Sequence, residues 1–158
     1  MDDIDRRILE ILQQDASLSN VELANKLNLS PSSCLRRVQK LKADGVIMQT
    51  VALVDPDKLD RSLCGIVEVS LERHGTEARL EFIEKIQQEG AITQAYSVTG
   101  EADVILVMHL KDMKEYAALC DRMLNYDPNV VKFRTFFAME QYKQTTAIPT
   151  HTNSAEVS

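Results

Sequence analysis

The spacing of apolar residues changes period part-way along this chain, and that change limits the fold more than any other feature. Ile4, Ile8, Ile11 and Leu12 recur every three or four positions, which places them on one side of a helix. From Leu63 the rhythm is two. Leu63, Gly65, Val67, Val69 and Leu71 share one face, and Glu68, Ser70 and Glu72 share the other, the pattern of a strand buried on one side. Asp55-Pro56 lies between the two regimes, and the residue before a proline is held out of the helical region. The chain therefore predicts two small domains of different class. At 158 residues, 44% of them hydrophobic, it is long enough to bury a core in each.

The first domain reads as three short helices. Asp2, Asp3 and Asp5 sit at the start of the first, where the helix dipole favours acids. Ser19 and Glu22 have capping-box spacing, in which each side chain satisfies the other's free backbone donor, and Asn28 can close that second helix. Ser30 is a natural N-cap, Pro31 suits the first helical position, and Gly45 fits the stop. The tight connection of the last two helices predicts a helix-turn-helix. "VIMQTVALVDP" reads as an extended wing strand. The expected limits are 1–54 for this domain with its wing and 55–62 for a linker.

Residues 63–144 predict the order β-α-β-β-α-β, a ferredoxin-like α+β arrangement. The first strand is "LCGIVEVSLER". A helix over 77–89 turns Ala78, Phe82, Ile83 and Ile86 inward. "ITQAYSVT" and "DVILVMHL" follow as strands. Asp112 and Glu115 cap a helix whose inner stripe is Met113, Ala117, Cys120 and Leu124. The last strand, "VVKFRTFFAME", puts Val131, Phe133, Phe137 and Met139 on one face. Val104 to Leu110 is apolar on both faces and so requires cover on each side, one from the domain's own helices and one from another sheet. A symmetric dimer that closes two sheets on each other into an α+β barrel meets that need. Residues 145–158 are polar and read as a loose tail.

Charge is unevenly placed. The formal net charge is −6, yet residues 1–50 hold seven basic and seven acidic residues, so the acidity belongs to the second domain. Between Glu22 and Asp44 there are five basic residues and no acid. On a helical projection of "PSSCLRRVQKLKA", Cys34, Leu35, Val38 and Leu41 form a packing side, with Ser33, Arg36, Arg37 and Lys40 opposite and Lys42 nearer the apolar side. A solvated amphipathic helix would account for the charge alone. The missing acids and the position after a capped helix and tight turn point instead to double-stranded DNA in a major groove. Ser30, Ser32 and Ser33 would add hydroxyl and backbone donors for a phosphate at the helix start.

The chemistry of catalysis is sparse. His74, His109 and His151 have no metal-ligand spacing with each other or with the cysteines, and no Gly-rich phosphate loop occurs, so neither metal nor cofactor is expected. His109 reads as a core or strand-end residue, and Cys120 as packed. Three widely spaced cysteines form no disulfide framework and suit a reducing cytoplasm. The N-terminus has no signal-peptide pattern and no stretch is long and apolar enough to span a bilayer, so no membrane partner is expected. Taken alone, Thr99-Gly100-Glu101-Ala102-Asp103 is a hairpin turn in which Gly supplies positive φ and acids are solvated.

"DIDRRILEILQQDASLSNVELANKLNLSPSSCLRRVQKLKADGVI" resembles the N-terminal domain of the Lrp/AsnC (leucine-responsive, feast/famine) transcription regulators. The opening D-x-x-D/I-L-x-x-L pattern, "LSPSSCLRRVQKL" and the G-[VF]-I after it carry the likeness. The second half, with "VTGEADVILV" and "RTFFAMEQYK", is similar to that family's effector-sensing domain, and the resemblance spans residues 2–144. It implies a DNA-binding regulator, not an enzyme, that controls genes of amino-acid or nutrient metabolism and assembles from dimers into larger rings, commonly octamers. It also implies that a free amino acid binds at the turn, with the strand before it and the last strand of a neighbouring subunit. Backbone donors near Gly100 would take its carboxylate, and either Asp103 or Glu101 its ammonium. Tyr96, Val98, Thr99, Ala102, Thr135, Phe136, Phe137 and Ala138 would complete the site. Its apolar members favour leucine or methionine. The competing reading is a ferredoxin-like enzyme or stand-alone small-molecule binder with an incidental basic helix.

Overall fold

The computed structural model describes residues 1–72 and 76–151. His74, the expected strand end at Arg73 and the polar end from Thr152 lie outside them. The chain forms two compact units, one of Met1–Ala52 together with the segment from Lys143, the other of Leu53–Tyr142. No helix among the described residues is long and apolar enough to cross a membrane.

The first unit holds helices α1 (Asp3–Gln14), α2 (Asn20–Leu27) and α3 (Pro31–Ala43). Each starts where its cap dictates. Asp2 and Asp5 form a reciprocal capping box on α1, and Ser19 and Glu22 form one on α2, so backbone donors without helical partners are satisfied. Ser30 accepts from the Ser33 amide at the head of α3, and Pro31 needs no donor there. Asn28 takes left-handed φ (55°) to end α2, a conformation open to Asn at small cost. The Asn20 amide donates to the Pro31 carbonyl at 2.8 Å, tying α2 to the first turn of α3. At the far end Gly45 takes φ +71°, and the Val46 and Ile47 amides close back on the Leu41 carbonyl. Ile8, Leu23, Ala24, Leu27, Cys34 and Leu41 are the buried core, each larger side chain worth about 1.5–3 kcal/mol of transfer free energy.

Three expectations change here. Leu35 is not on the packing side but 46% exposed. Projected at about 100° per residue, it falls about 100° from the buried Cys34, whereas Arg37 falls only about 60° away. No wing strand forms, for residues 46–55 carry no strand and Met48, Val51, Leu53 and Val54 are exposed. A strand needs a ladder partner, and this segment has none among the described residues. The polar end of the chain also has contacts. Gln13 on α1 brackets the Ile148 backbone, its amide donating to the carbonyl at 3.0 Å and its oxygen accepting from the amide at 2.8 Å. Thr150 donates to Glu10 at 2.9 Å and accepts on its carbonyl from Arg6.

The second unit is a four-stranded antiparallel sheet in the order β2-β3-β1-β4, from strands β1 (Leu63–Leu71), β2 (Ile92–Ser97), β3 (Val104–Leu110) and β4 (Val130–Phe137). Helices α4 (Thr76–Gln88) and α5 (Met113–Cys120) connect them, with a π turn over Asp121–Asn125. The register sets Val67 opposite both Leu106 and Thr135, and Glu68 opposite both Ile105 and Arg134. One face of the sheet is covered, with Val67, Val69, Leu106, Met108 and Leu110 buried against Phe82 and Ile86 of α4 and Leu119, Cys120, Met123 and Leu124 beyond. The inner stripe of the second connection is thus Tyr116, Leu119, Cys120, Met123 and Leu124, rather than one built on Met113 and Ala117, both of which are exposed. Cys120 and Leu124 are common to both stripes, and both stripes follow helical spacing, so the period alone does not choose between them; packing against the sheet does. Ile83 is likewise exposed rather than inward.

Candidate functional site

On α3 the exposed side chains include Ser32, Leu35, Arg36, Gln39 and Lys40, and also Lys42, which the projection sets nearer the apolar side. Arg36 is exposed and makes no hydrogen bond or ion pair among the described residues. Lys40 is paired with Asp44 at 3.0 Å, but both are exposed, and such i,i+4 pairs are worth only a few tenths of a kcal/mol. The lysine is therefore readily released to a phosphate. Ser30 is occupied as the cap and lies 3.3 Å from Ser32; Ser33 is half-buried and gives its amide to that cap.

Arg37 differs from its expected place. Its Nη1 donates to Asp2 at 2.8 Å and to Asp5 at 2.7 Å, and its side chain is only 27% exposed. The guanidinium holds the Asp2 carboxyl below its usual range, second in effect to the Asp5 amide that also bonds it. Gln39 is left off the projected outer side, although at about 100° per residue it falls about 140° from the buried Cys34. Its amide offers the paired donor and acceptor that can read an adenine edge.

In the second unit the turn Val98–Asp103 is closed by the Val98 amide bonding the Asp103 carbonyl at 3.0 Å. Gly100 takes φ +119°, which side chains rarely adopt. Asp103 is engaged by the sheet. Its amide donates to the Val69 carbonyl at 2.9 Å, and its carboxylate accepts from the Leu71 amide at 2.8 Å, where the β1–β4 register shifts. Glu101 is exposed and its side chain makes no bond among the described residues.

The other expected residues divide between the faces of the sheet. Tyr96 and Phe136 lie on the uncovered face, 53% and 46% exposed. Thr135 and Phe137 point the opposite way, to Tyr116: its hydroxyl lies 2.7 Å from Thr135 Oγ1 and its ring meets Phe137 edge-on at 5.0 Å. Desolvation raises the Tyr116 pKa. Ala138 follows β4, its amide bonded to the Cys64 carbonyl. The single chain therefore brings the turn and Tyr96 to one sheet and leaves Thr135 and Phe137 half-buried on its covered side.

A small cavity of about 120 Å³ adjoins the turn, lined by Glu68, Ser70, Glu101, Ala102, Lys132, Phe133 and Arg134. Arg134 is bound to Glu68 at 2.6 Å and lies over the Phe136 ring at 5.1 Å. Lys132 and Glu101 remain as one cation and one anion without ion-pair partners among the described residues. Glu68, Ser70, Lys132 and Arg134 were missed in the sequence. The signal was there in alternation along two strands that proved to be neighbours, but adjacency of β1 and β4 is a property of the sheet. All three cysteines are free, and burial raises the pKa of each, so none is primed as a nucleophile. His109 Nδ1 lies 3.1 Å from Thr93 Oγ1. No cluster of three metal-ligating side chains occurs among the described residues.

Comparison with known proteins bears on both units. Residues 1–48 match the family described as "Winged helix-turn-helix DNA-binding", and residues 64–148 the "Lrp/AsnC ligand binding domain". A leucine-responsive regulatory protein of Haemophilus influenzae is 40% identical over 145 residues, which cover 92% of this chain and 87% of that one. The DNA-binding transcriptional activator DecR of Escherichia coli is 34% identical over 149 residues, 94% of this chain and 98% of that one. Among solved structures, a Neisseria meningitidis transcriptional regulator in complex with L-Met superposes with a TM-score of 0.91 at 30% identity, covering 94% of this chain and 96% of that one. An AsnC family regulator from Agrobacterium tumefaciens reaches 0.89 at 36% identity, covering 94% and 97%.

Proposed function

The chain belongs to the Lrp/AsnC family of DNA-binding transcription regulators with an amino-acid-binding domain, and on that footing we propose that it reads specific duplex sites with α3 under the control of a free apolar amino acid, leucine or methionine. It acts as a regulator and not an enzyme, in the cytoplasm, on genes of amino-acid or nutrient metabolism. The observation that carries the DNA reading is the outer face of α3, where Arg36 is exposed beside Gln39 and Lys40 and no acid shares the helix. Arg36 and Gln39 are suited to base edges, and Lys40 and Ser32 to phosphates.

The effector reading rests on the turn and the cavity beside it. A free amino acid is a zwitterion. Glu101 is the carboxylate available for its ammonium, because Asp103 is committed to the Leu71 amide. Lys132 and the backbone around Gly100 are available for its carboxylate. Tyr96 and Phe136 supply apolar surface. Two named relatives motivate the choice of ligand, one called leucine-responsive and one solved with L-Met.

Assembly follows from the uncovered sheet face. Ile66, Ile105, Val107, Tyr96 and Phe136 make it apolar, and a second copy can cover it to give a dimer. Dimers then combine into an octamer. An effector at the rim of such an interface gains differential affinity between assembly states, which is what it needs to shift them.

Gel shift against genomic fragments, with and without each of the twenty amino acids, tests the whole. We expect bound fragments whose affinity falls steeply with salt, and an altered pattern with leucine or methionine. Absence of any preferred fragment would sink the DNA reading. A pattern unmoved by millimolar amino acids would sink the effector reading.

A further inference from the structure

We infer that Arg37 is a positioning residue for DNA recognition: through Asp2 and Asp5 it locks the reading helix α3 to the start of α1, and it does not itself touch DNA. The inference rests on α3 being the reading helix.

The oxygen inventory carries it. Asp2 Oδ1 accepts from the Asp5 amide at 2.9 Å, and Asp5 Oδ2 accepts from the Asp2 amide at 3.0 Å. These two bonds are the capping box of α1, and each uses one oxygen of its carboxylate. The other oxygens, Asp2 Oδ2 and Asp5 Oδ1, both receive Arg37 Nη1, at 2.8 and 2.7 Å. One device thus caps α1 and grips α3. The partners lie 35 and 32 positions away in sequence, so the bonds join two helices rather than neighbours on one.

Arg37 is also poorly placed to let go. Its Nε is buried and has no hydrogen-bond partner, so the base of the guanidinium is sealed against the helices. Asp5 is only 15% exposed. Leaving for a phosphate would strand that carboxylate, a cost that the exposed Arg36 and Lys40 do not face. Two acids on the DNA-binding unit would repel phosphates. With Arg37 bound to both, their charge is partly neutralised, and the helix that must meet base edges is held at a set angle.

The two roles for Arg37 predict opposite signs for a change at Asp5. If Arg37 contacts phosphate and Asp5 only competes for it, Asp5→Asn removes a negative charge, frees the arginine and tightens binding. If the clamp positions α3, Asp5→Asn weakens binding despite the more favourable charge. Asparagine keeps one acceptor for the α1 cap but sets an amide donor beside the guanidinium.

The experiment uses the full chain and a duplex selected by the wild type from a random-sequence library. Kd is measured over a range of salt for the wild type, Arg36→Ala, Arg37→Met, Arg37→Lys, Asp5→Asn and the Arg37→Met/Asp5→Asn double variant, with melting curves for each. We expect Arg37→Met and Asp5→Asn each to weaken binding about tenfold, as when a reading helix leaves the geometry its base contacts need. The double variant should be no weaker than either single one, since both break the same interaction. The slope of log K against log salt should stay at the wild-type value, and Arg37→Lys should restore part of the affinity. A slope smaller by about 0.9, the signature of one lost phosphate contact, overturns the inference. So does tighter binding by Asp5→Asn, or wild-type binding by both single variants. If Arg37→Met does not fold, Arg37→Lys and Asp5→Asn decide by the same signs. Arg36→Ala separates the two levels: if it leaves binding unchanged, α3 is not the reading helix and the inference falls with it. If it weakens binding while the pattern at Arg37 and Asp5 fails, only the clamp is wrong.

Discussion

The outer face of α3 and the uncovered face of the sheet both lack a partner among the described residues, and they differ in what they ask for. The α3 face is polar and cationic around Arg36, Gln39 and Lys40, with Leu35 as its one large apolar member. Such a face is stable in water and gains most from a polyanion. The sheet face carries the Arg134–Glu68 pair beside Ile105, and its apolar part is Ile66, Ile105, Val107 and Phe136. That apolar part is costly in water, and no nucleic acid would cover it well; another apolar sheet would. On the proposed reading, one unit recognises a ligand of opposite charge and the other a second copy of itself. The contrast also separates what mutation should do on each face.

The largest effect is expected on the sheet. Ile66→Asp puts a carboxylate among Val107 and Phe136, where a covering sheet would strip it of water, at a cost of roughly 3 kcal/mol or more of association. Ile66 is 37% exposed in the single chain, so the fold should survive. Light scattering coupled to size exclusion should show the variant as a folded monomer. If it elutes as the wild type does, this face is not the interface.

Arg36→Ala should come next, weakening binding to a selected duplex by about 1–3 kcal/mol if it reads a base, with no change in oligomer size. Competition between the selected duplex and single-base variants would show relaxed preference at one position. A uniform loss across all sequences would make Arg36 a phosphate contact instead.

The smallest effect is in acid, and it touches both units. Asp2 is held below its ordinary value of 3.8 by the Asp5 amide first and Arg37 second, and Glu115 below 4.5 by the Lys111 amide first and Arg61 second. A carboxyl with a depressed folded pKa contributes stability that is present above its unfolded value and lost as pH falls through the folded one. Both units should therefore weaken on going below these ordinary values. Carboxyl-resolved NMR titration should find Asp2 titrating below 3.8, rising in Arg37→Met but remaining depressed, because its largest cause is the backbone donor. An Asp2 that titrates normally in the wild type would remove the clamp from solution.

Local chemistry was legible in the sequence wherever one segment contains all the partners. The Ser19–Glu22 box, the Ser30–Pro31 start of α3, Gly45 at its end and the alternation of β1 each depend on residues a few positions apart, and the structure places them as spacing predicts. The β-α-β-β-α-β order is legible for the same reason, as a succession of periods. What escaped depends on elements far apart in the chain. Helical phase alone brings Arg37 near the core side, but only α1 packed on α3 supplies Asp2 and Asp5. Phe136 and Phe137 are adjacent and similar, and the register of β4 on β1 decides which meets Tyr116 and which faces outward. The stripe of α5 differs because two sets of residues share helical spacing there and only packing on the sheet selects one, and residues 46–55 carry no strand because a ladder requires a second backbone. Glu68 and Lys132 line one cavity only because β1 and β4 are neighbours in the sheet. The sequence by itself determined where helices and strands begin, since caps and periods act over a few residues. Tertiary structure alone decided which side chains meet, because distance in space is set by packing and register, and neither is written in any one segment.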